Sequence, residues 1–128
     1  MAICRLILVV LASGSVYADA TQSSSTTCLS TKENAFRKFE MTTYNGGAMS
    51  SYGKFNALSD KGNELTGFLF EQPTIDGRAS YQGQSVEARG APVEFFVLVD
   101  GNQSVLFFRD ITVMGPTGWR RQNVICTN

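Results

Sequence analysis

The chain has 128 residues, 11 basic and 11 acidic side chains, no histidine and three cysteines. Balanced charge excludes a strong field steering it to nucleic acid or anionic membranes, so RNA binding would have to rest on a local patch. The absence of histidine removes the side chain that most often serves as general acid or base near neutral pH.

The first segment reads as an export signal. Met1 to Arg5 carry one positive charge, residues 6–12 are an unbroken apolar run, and residues 13–20 turn small and polar. Two small-x-small cleavage frames follow, Val16-Tyr17-Ala18 and Ala18-Asp19-Ala20, completing the layout of a secretory signal. Residues 1–20 are therefore expected to be removed, leaving one domain over residues 21–128. The apolar run is far short of the roughly 20 residues a bilayer-spanning helix needs, and no membrane partner is expected. Cleavage takes away Cys4 and leaves Cys28 and Cys126, which in an oxidising compartment read as a disulfide. No metal site or cofactor is expected.

The Ser- and Thr-rich residues 21–27 read as a loose N-terminal tail. Ser30 with Glu33 three residues on forms a capping-box pattern. Ala35, Phe36, Phe39 and Thr43 then recur at spacings of one, three and four, which predicts a helix over 31–44. Asn45-Gly46-Gly47 supplies its stop. Strands are predicted over 52–58 and 65–70, separated by the turn at 59–63 and ended by Pro73. Residues 74–89 are polar and glycine-spotted and read mostly as loop, with a short strand near Tyr81. The strongest hairpin signal is the β-rich run 93–99, then Asp100-Gly101-Asn102, then 104–108. Both arms are almost continuously apolar, which predicts a central hairpin covered on one face by the helix. A loop over 114–118 and a last strand over 123–126 complete the chain. The layout is α+β: one N-terminal helix packed on an antiparallel β-sheet.

Read in order, these pieces resemble the fungal guanyl-specific ribonuclease family. Ser51-Tyr52-Gly53-Lys54-Phe55-Asn56 resembles its Ser-Tyr-Pro-His-Lys-Tyr-Asn strand with one residue missing. Phe70-Glu71-Gln72-Pro73 resembles its Tyr-Glu-Trp-Pro, and Tyr81-Gln82-Gly83 its Tyr-Ser-Gly turn. Pro92 to Gln103 resembles its central hairpin, and Asn123-Val124-Ile125-Cys126-Thr127 its Cys-Thr terminus. Family enzymes cleave RNA with a glutamate base, a histidine acid and an arginine phosphate clamp. Here the histidine position falls on Val113, the strand-borne arginine on Glu94, and another histidine in the deletion beside Gly53. The guanine-reading loop is not kept in Ala57-Leu58-Ser59-Asp60. Tyr52 and Glu71 remain as vestiges, which implies a pseudo-ribonuclease with no efficient turnover.

A secreted, histidine-free relative with a cysteine at each end resembles the ribonuclease-like effectors of powdery mildew fungi, although Thr26 stands where those proteins usually carry an aromatic residue. That resemblance implies delivery into the cytoplasm of host plant cells, binding of host proteins or weakly of host RNA, and recognition of some members by intracellular immune receptors. A monomer is expected. Lys54, Arg78, Arg89, Arg109, Arg120 and Arg121 either line an RNA groove, with Tyr81 or Trp119 as stacking platforms, or are scattered surface charge. In a strand, Arg120 and Arg121 would point to opposite faces. Glu71 reads either as a surviving base or as a solvated strand-end carboxylate. Asn102-Gln103-Ser104 is a glycosylation sequon in the hairpin turn. The leading expectation is an inactive binding module; the alternative is a weakly active or altered-specificity ribonuclease that uses Glu71.

Overall fold

The computed structural model describes residues 21–32, 35–45, 51–86 and 91–128. Its strands are β1 (Thr21–Ser30), β2 (Phe36–Asn45), β3 (Tyr52–Ser59), β4 (Glu64–Ile75), β5 (Arg78–Ser85), β6 (Val93–Val99), β7 (Ser104–Thr112), the two-residue β8 (Gly115–Pro116) and β9 (Arg120–Thr127). β1 to β7 pair antiparallel in chain order, and β9 lies between β7 and β1. Because β6 and β7 also pair, the sheet has no open edge and forms a closed barrel of eight strands, with β8 appended to β7. Closure removes the edges that would otherwise invite pairing with other chains.

This architecture overturns the expected α+β fold. Among the described residues there is no α-helix; the one helical turn is a 3-10 turn at Gly101–Gln103. The segment 31–44, read as a helix, is mainly β2. Its inward residues Phe39, Met41 and Thr43 alternate with period two and are buried. Phe36 is also buried, three residues before Phe39, because the β2–β3 register shifts between Phe36 and Lys38. That bulge adds one residue and turns a strand period into spacings that mimic a helix. Buried Gln122 holds the bulge: Phe36 N–H donates to its Oε1 at 3.2 Å, and its Nε2 donates back to Phe36 O. Glu33 of the capping box lies outside the described residues.

Three further expectations change. The tail 21–27 belongs to β1, which is held by β2 on one side and β9 on the other. Residues 74–89 are not mostly loop, since 78–85 form β5, paired with β4 and β6. Nor does Pro73 stop β4, because a register irregularity between Gln72 and Ile75 takes the proline out of the ladder. The hairpin of 93–99 and its partner agree with β6 and β7. What covers its inner face is the opposite barrel wall instead of a helix.

The interior is filled with side chains. Phe95, fully buried, meets Phe36, Phe39 and Phe55 at ring-centroid distances of 5.2, 5.5 and 5.0 Å. Phe108 packs edge-on against Phe36 at 5.0 Å. Gly67 makes room for this cluster, because a Cβ there would lie 2.8 Å from the Phe55 ring and 2.2 Å from Gln84 O. Cys28 and Cys126 face each other in the β1–β9 register and form a disulfide, 98 residues apart in sequence, across the seam that closes the barrel.

Candidate functional site

With the interior occupied, the distinctive chemistry lies on the outer wall. Register brings Tyr44, Tyr52, Phe70, Gln82, Phe96, Phe107 and Arg121 into one row across successive strands from β2 to β9. All seven take the outward parity of their strands. Tyr44 and Tyr52 stack at 5.3 Å, and Phe96 and Phe107 meet edge-on at 6.1 Å. On the β5–β6–β7 wall this row deepens into a groove of about 450 Å³, lined by Ile75, Gln82, Phe96, Leu98, Phe107 and Trp119. Ile75 comes from the β4–β5 tip and Trp119 from the approach to β9, so the strand wall is the floor and two connections are the rims. Ser80 Oγ donates to Pro73 O at 2.8 Å and ties the first rim to β5.

A polar network fixes the second rim. Arg109 Nε donates to Glu94 Oε1 at 2.7 Å, and Gln82 Nε2 donates to Glu94 Oε2 at 2.9 Å. The Arg109 guanidinium in turn lies 4.2 Å from the Trp119 ring centroid. One carboxylate thus orients an arginine that carries an indole, and the indole remains 42% exposed. Glu94, which the resemblance places at the phosphate-clamp position, is here an anchor for this rim.

The sequence-based candidates do not converge. Tyr52 lies on the outer face, registered with Phe70, whereas Glu71 is the next residue of β4 and takes the opposite parity. The two vestigial residues therefore take opposite faces of the wall. Glu71 is exposed beside Tyr81, its register partner. Lys54 Nζ sits 5.5 Å from the Tyr44 ring, beside a second outer groove of about 520 Å³ whose lining includes Glu40, Thr42, Asn56 and Phe68. Arg78 Nη1 donates to Gln103 O at 3.4 Å at the other end of the wall. Arg120 packs 4.6 Å from the ring of interior Phe108, while Arg121 lies 5.8 Å from that of outward Phe107, so the pair does point to opposite faces. Arg89 lies outside the described residues. Among the described residues, no cluster of three or more acidic, cysteine or histidine side chains could hold a metal ion.

Of the groove, the sequence singled out only Trp119. Ile75, Gln82, Phe96, Leu98 and Phe107 were missed because they meet only through register. One signal was legible: arms almost continuously apolar, in a wall with one buried side, must present some apolar side chains outward.

The Tyr81 phenol carries a pH expectation. Burial, and secondarily the Glu71 carboxylate, raise its pKa above the ordinary value. The folded state therefore holds the proton to higher pH than the unfolded chain, so stability is intact below pH 10 and falls as pH rises through the folded pKa. Urea midpoints between pH 8 and pH 11 should decline at the alkaline end for the wild type and decline less for Tyr81→Phe. Equal declines would remove Tyr81 as the cause.

Comparisons with protein-family models, curated proteins and solved structures give no match. Fold and groove together define a class all the same: a closed, side-chain-filled antiparallel barrel whose recognisable chemistry is on its outer wall.

Proposed function

We propose that the mature chain is a secreted, non-catalytic binding module, an effector-type protein that acts in a host by gripping an apolar segment of a host protein in the β5–β6–β7 groove. The observation that carries this reading is the concentration of outward apolar side chains on one wall. Large apolar groups gathered around a concave site, with a polar rim, mark interaction surfaces more often than solvated ones. Trp119 fits the role of a hot-spot residue, because it is broad, fixed by Arg109 and still open to a partner. Export rests on the layout of residues 1–20, and the host-directed part on the motifs quoted above.

Proteins are favoured over RNA as partner. The cations that would track a phosphate backbone are spread around the barrel, and several already lie against aromatic rings. A lipid-facing role is disfavoured as well. Lys38, Glu40, Lys54, Glu94 and Arg109 lie on outward positions while phenylalanines fill the inside, the reverse of a membrane-spanning barrel.

Selection of displayed peptides on the folded protein tests the proposal. Selected peptides should be rich in apolar side chains, and Trp119→Ala should weaken them roughly 30-fold, the equivalent of about 2 kcal/mol. Phe96→Ser, at the groove floor, should do the same, while Lys54→Ala on another part of the wall should not. The same protein should neither cleave guanine-containing single-stranded RNA nor bind it at low salt. Salt-sensitive RNA binding, or peptides indifferent to both groove variants, would overturn the reading.

A further inference from the structure

The sequon in the β6–β7 turn is not absorbed by the groove, and its two functional residues have opposite surroundings. Asn102 is exposed in the 3-10 turn, which Gln103 N–H closes by donating to Asp100 O at 2.9 Å. Ser104, whose hydroxyl completes the acceptor signal, is only 1% exposed. Asp100 N–H donates to Ser104 Oγ at 2.7 Å, and Ser104 Oγ donates to Gly101 O at 2.9 Å. In the folded barrel that hydroxyl is committed on both its donor and its acceptor side and hidden from any enzyme. The turn is also tied to the β4–β5 tip by Arg78.

We infer that Asn102 is an N-glycosylation site that is modified only before the barrel closes. In the transfer, Asn102 Nδ2 loses a proton and bonds to the anomeric carbon of a lipid-pyrophosphate-linked oligosaccharide. The bond from that carbon to the phosphate oxygen breaks, and the lipid pyrophosphate leaves with the electron pair. The enzyme must reach the Ser104 hydroxyl while this happens, so the reaction requires an open turn. The fold leaves time for it. Ser104 pairs with Val124 of β9, and β9 also pairs with β1, so burial of Ser104 waits for the last strand of the chain. Until then β7 is an edge strand paired with β6 alone, and the β6–β7 turn lacks the β9 neighbour that registers with Ser104. Once closed, the exposed Asn102 lets the barrel carry the glycan at one end without disturbing its interior.

This inference rests on the export reading, and the test separates the two. The full chain is secreted from eukaryotic cells behind its own leader and, in parallel, behind a replaced leader, and intact mass is read before and after endoglycosidase. One glycan per chain is expected, kept by Ser104→Thr and lost in Asn102→Gln. A glycan seen only with the replaced leader would sink the export reading and leave the site standing. Independently, refolded oxidised protein and reduced, urea-unfolded chain diluted into assay are offered to a purified transferase with lipid-linked oligosaccharide. The unfolded chain should accept the glycan at least 10-fold faster. Absence of a glycan with both leaders, or equal rates for folded and unfolded chains, overturns the inference.

Discussion

Replacing Cys28 and Cys126 together by alanine should leave the chain largely unfolded at 37 °C. The two cysteines are register partners on β1 and β9, and both are buried at the closing seam. Their bond closes a loop of 98 residues, for which the chain-entropy model gives about 4 to 5 kcal/mol. Small domains have only about 5 to 15 kcal/mol of total stability, so this loss approaches the whole margin. No other covalent link joins the first barrel strand to the last. Urea unfolding of the wild type with and without reductant, beside the double variant, measures the effect. Reduction and substitution should shift the midpoint alike. A midpoint unchanged by either would mean that β1–β9 pairing alone is enough to close the wall.

The second large effect concerns Phe95. Its ring is fully buried and touches three other phenylalanine rings, contributed by β2, β3 and the residue at the β2 bulge. Phe95→Ala should cost about 3 to 5 kcal/mol, because the transfer term of the lost ring adds to a cavity that the stiff wall cannot collapse into. Phe70 has the same side chain on a neighbouring part of the barrel but is 51% exposed on the outside. Phe70→Ala should change stability by less than about 0.5 kcal/mol. The contrast between two Phe→Ala changes tests which way the wall faces. Equal losses would mean that the outer row is covered in the native protein, as it would be in a tight oligomer.

Several features were legible in the sequence for sound local reasons. Asp100-Gly101 between two β-rich runs specified the β6–β7 hairpin, because a glycine at φ 55° lets the chain reverse there. The Cys28–Cys126 disulfide was legible because, once residues 1–20 are read as an export signal, two cysteines remain and an even pair reads as a bridge. Opposite orientations for Arg120 and Arg121 followed from strand geometry alone.

What failed did so through long-range causes. The 31–44 pattern looked helical because a bulge, held by Gln122 from the far end of the chain, adds one residue to a period-two alternation. Residues 21–27 looked like a tail because Ser and Thr carry little burial signal. They are a strand because β2 pairs with them along their length, and β9 joins β1 from Thr27 onward. Circular closure is itself invisible to local pattern, since it depends on β9 returning to β1 across 98 residues. The groove has the same origin. Ile75, Gln82, Phe96, Phe107 and Trp119 are brought together by β4–β5, β5–β6 and β6–β7 pairing and by the return of β9. By itself the sequence determined two of the reversals, at 59–63 and 100–102, and which cysteines pair. Only the tertiary structure decided which side of each strand is the inside, because that choice belongs to the closed wall as a whole and to no residue in it.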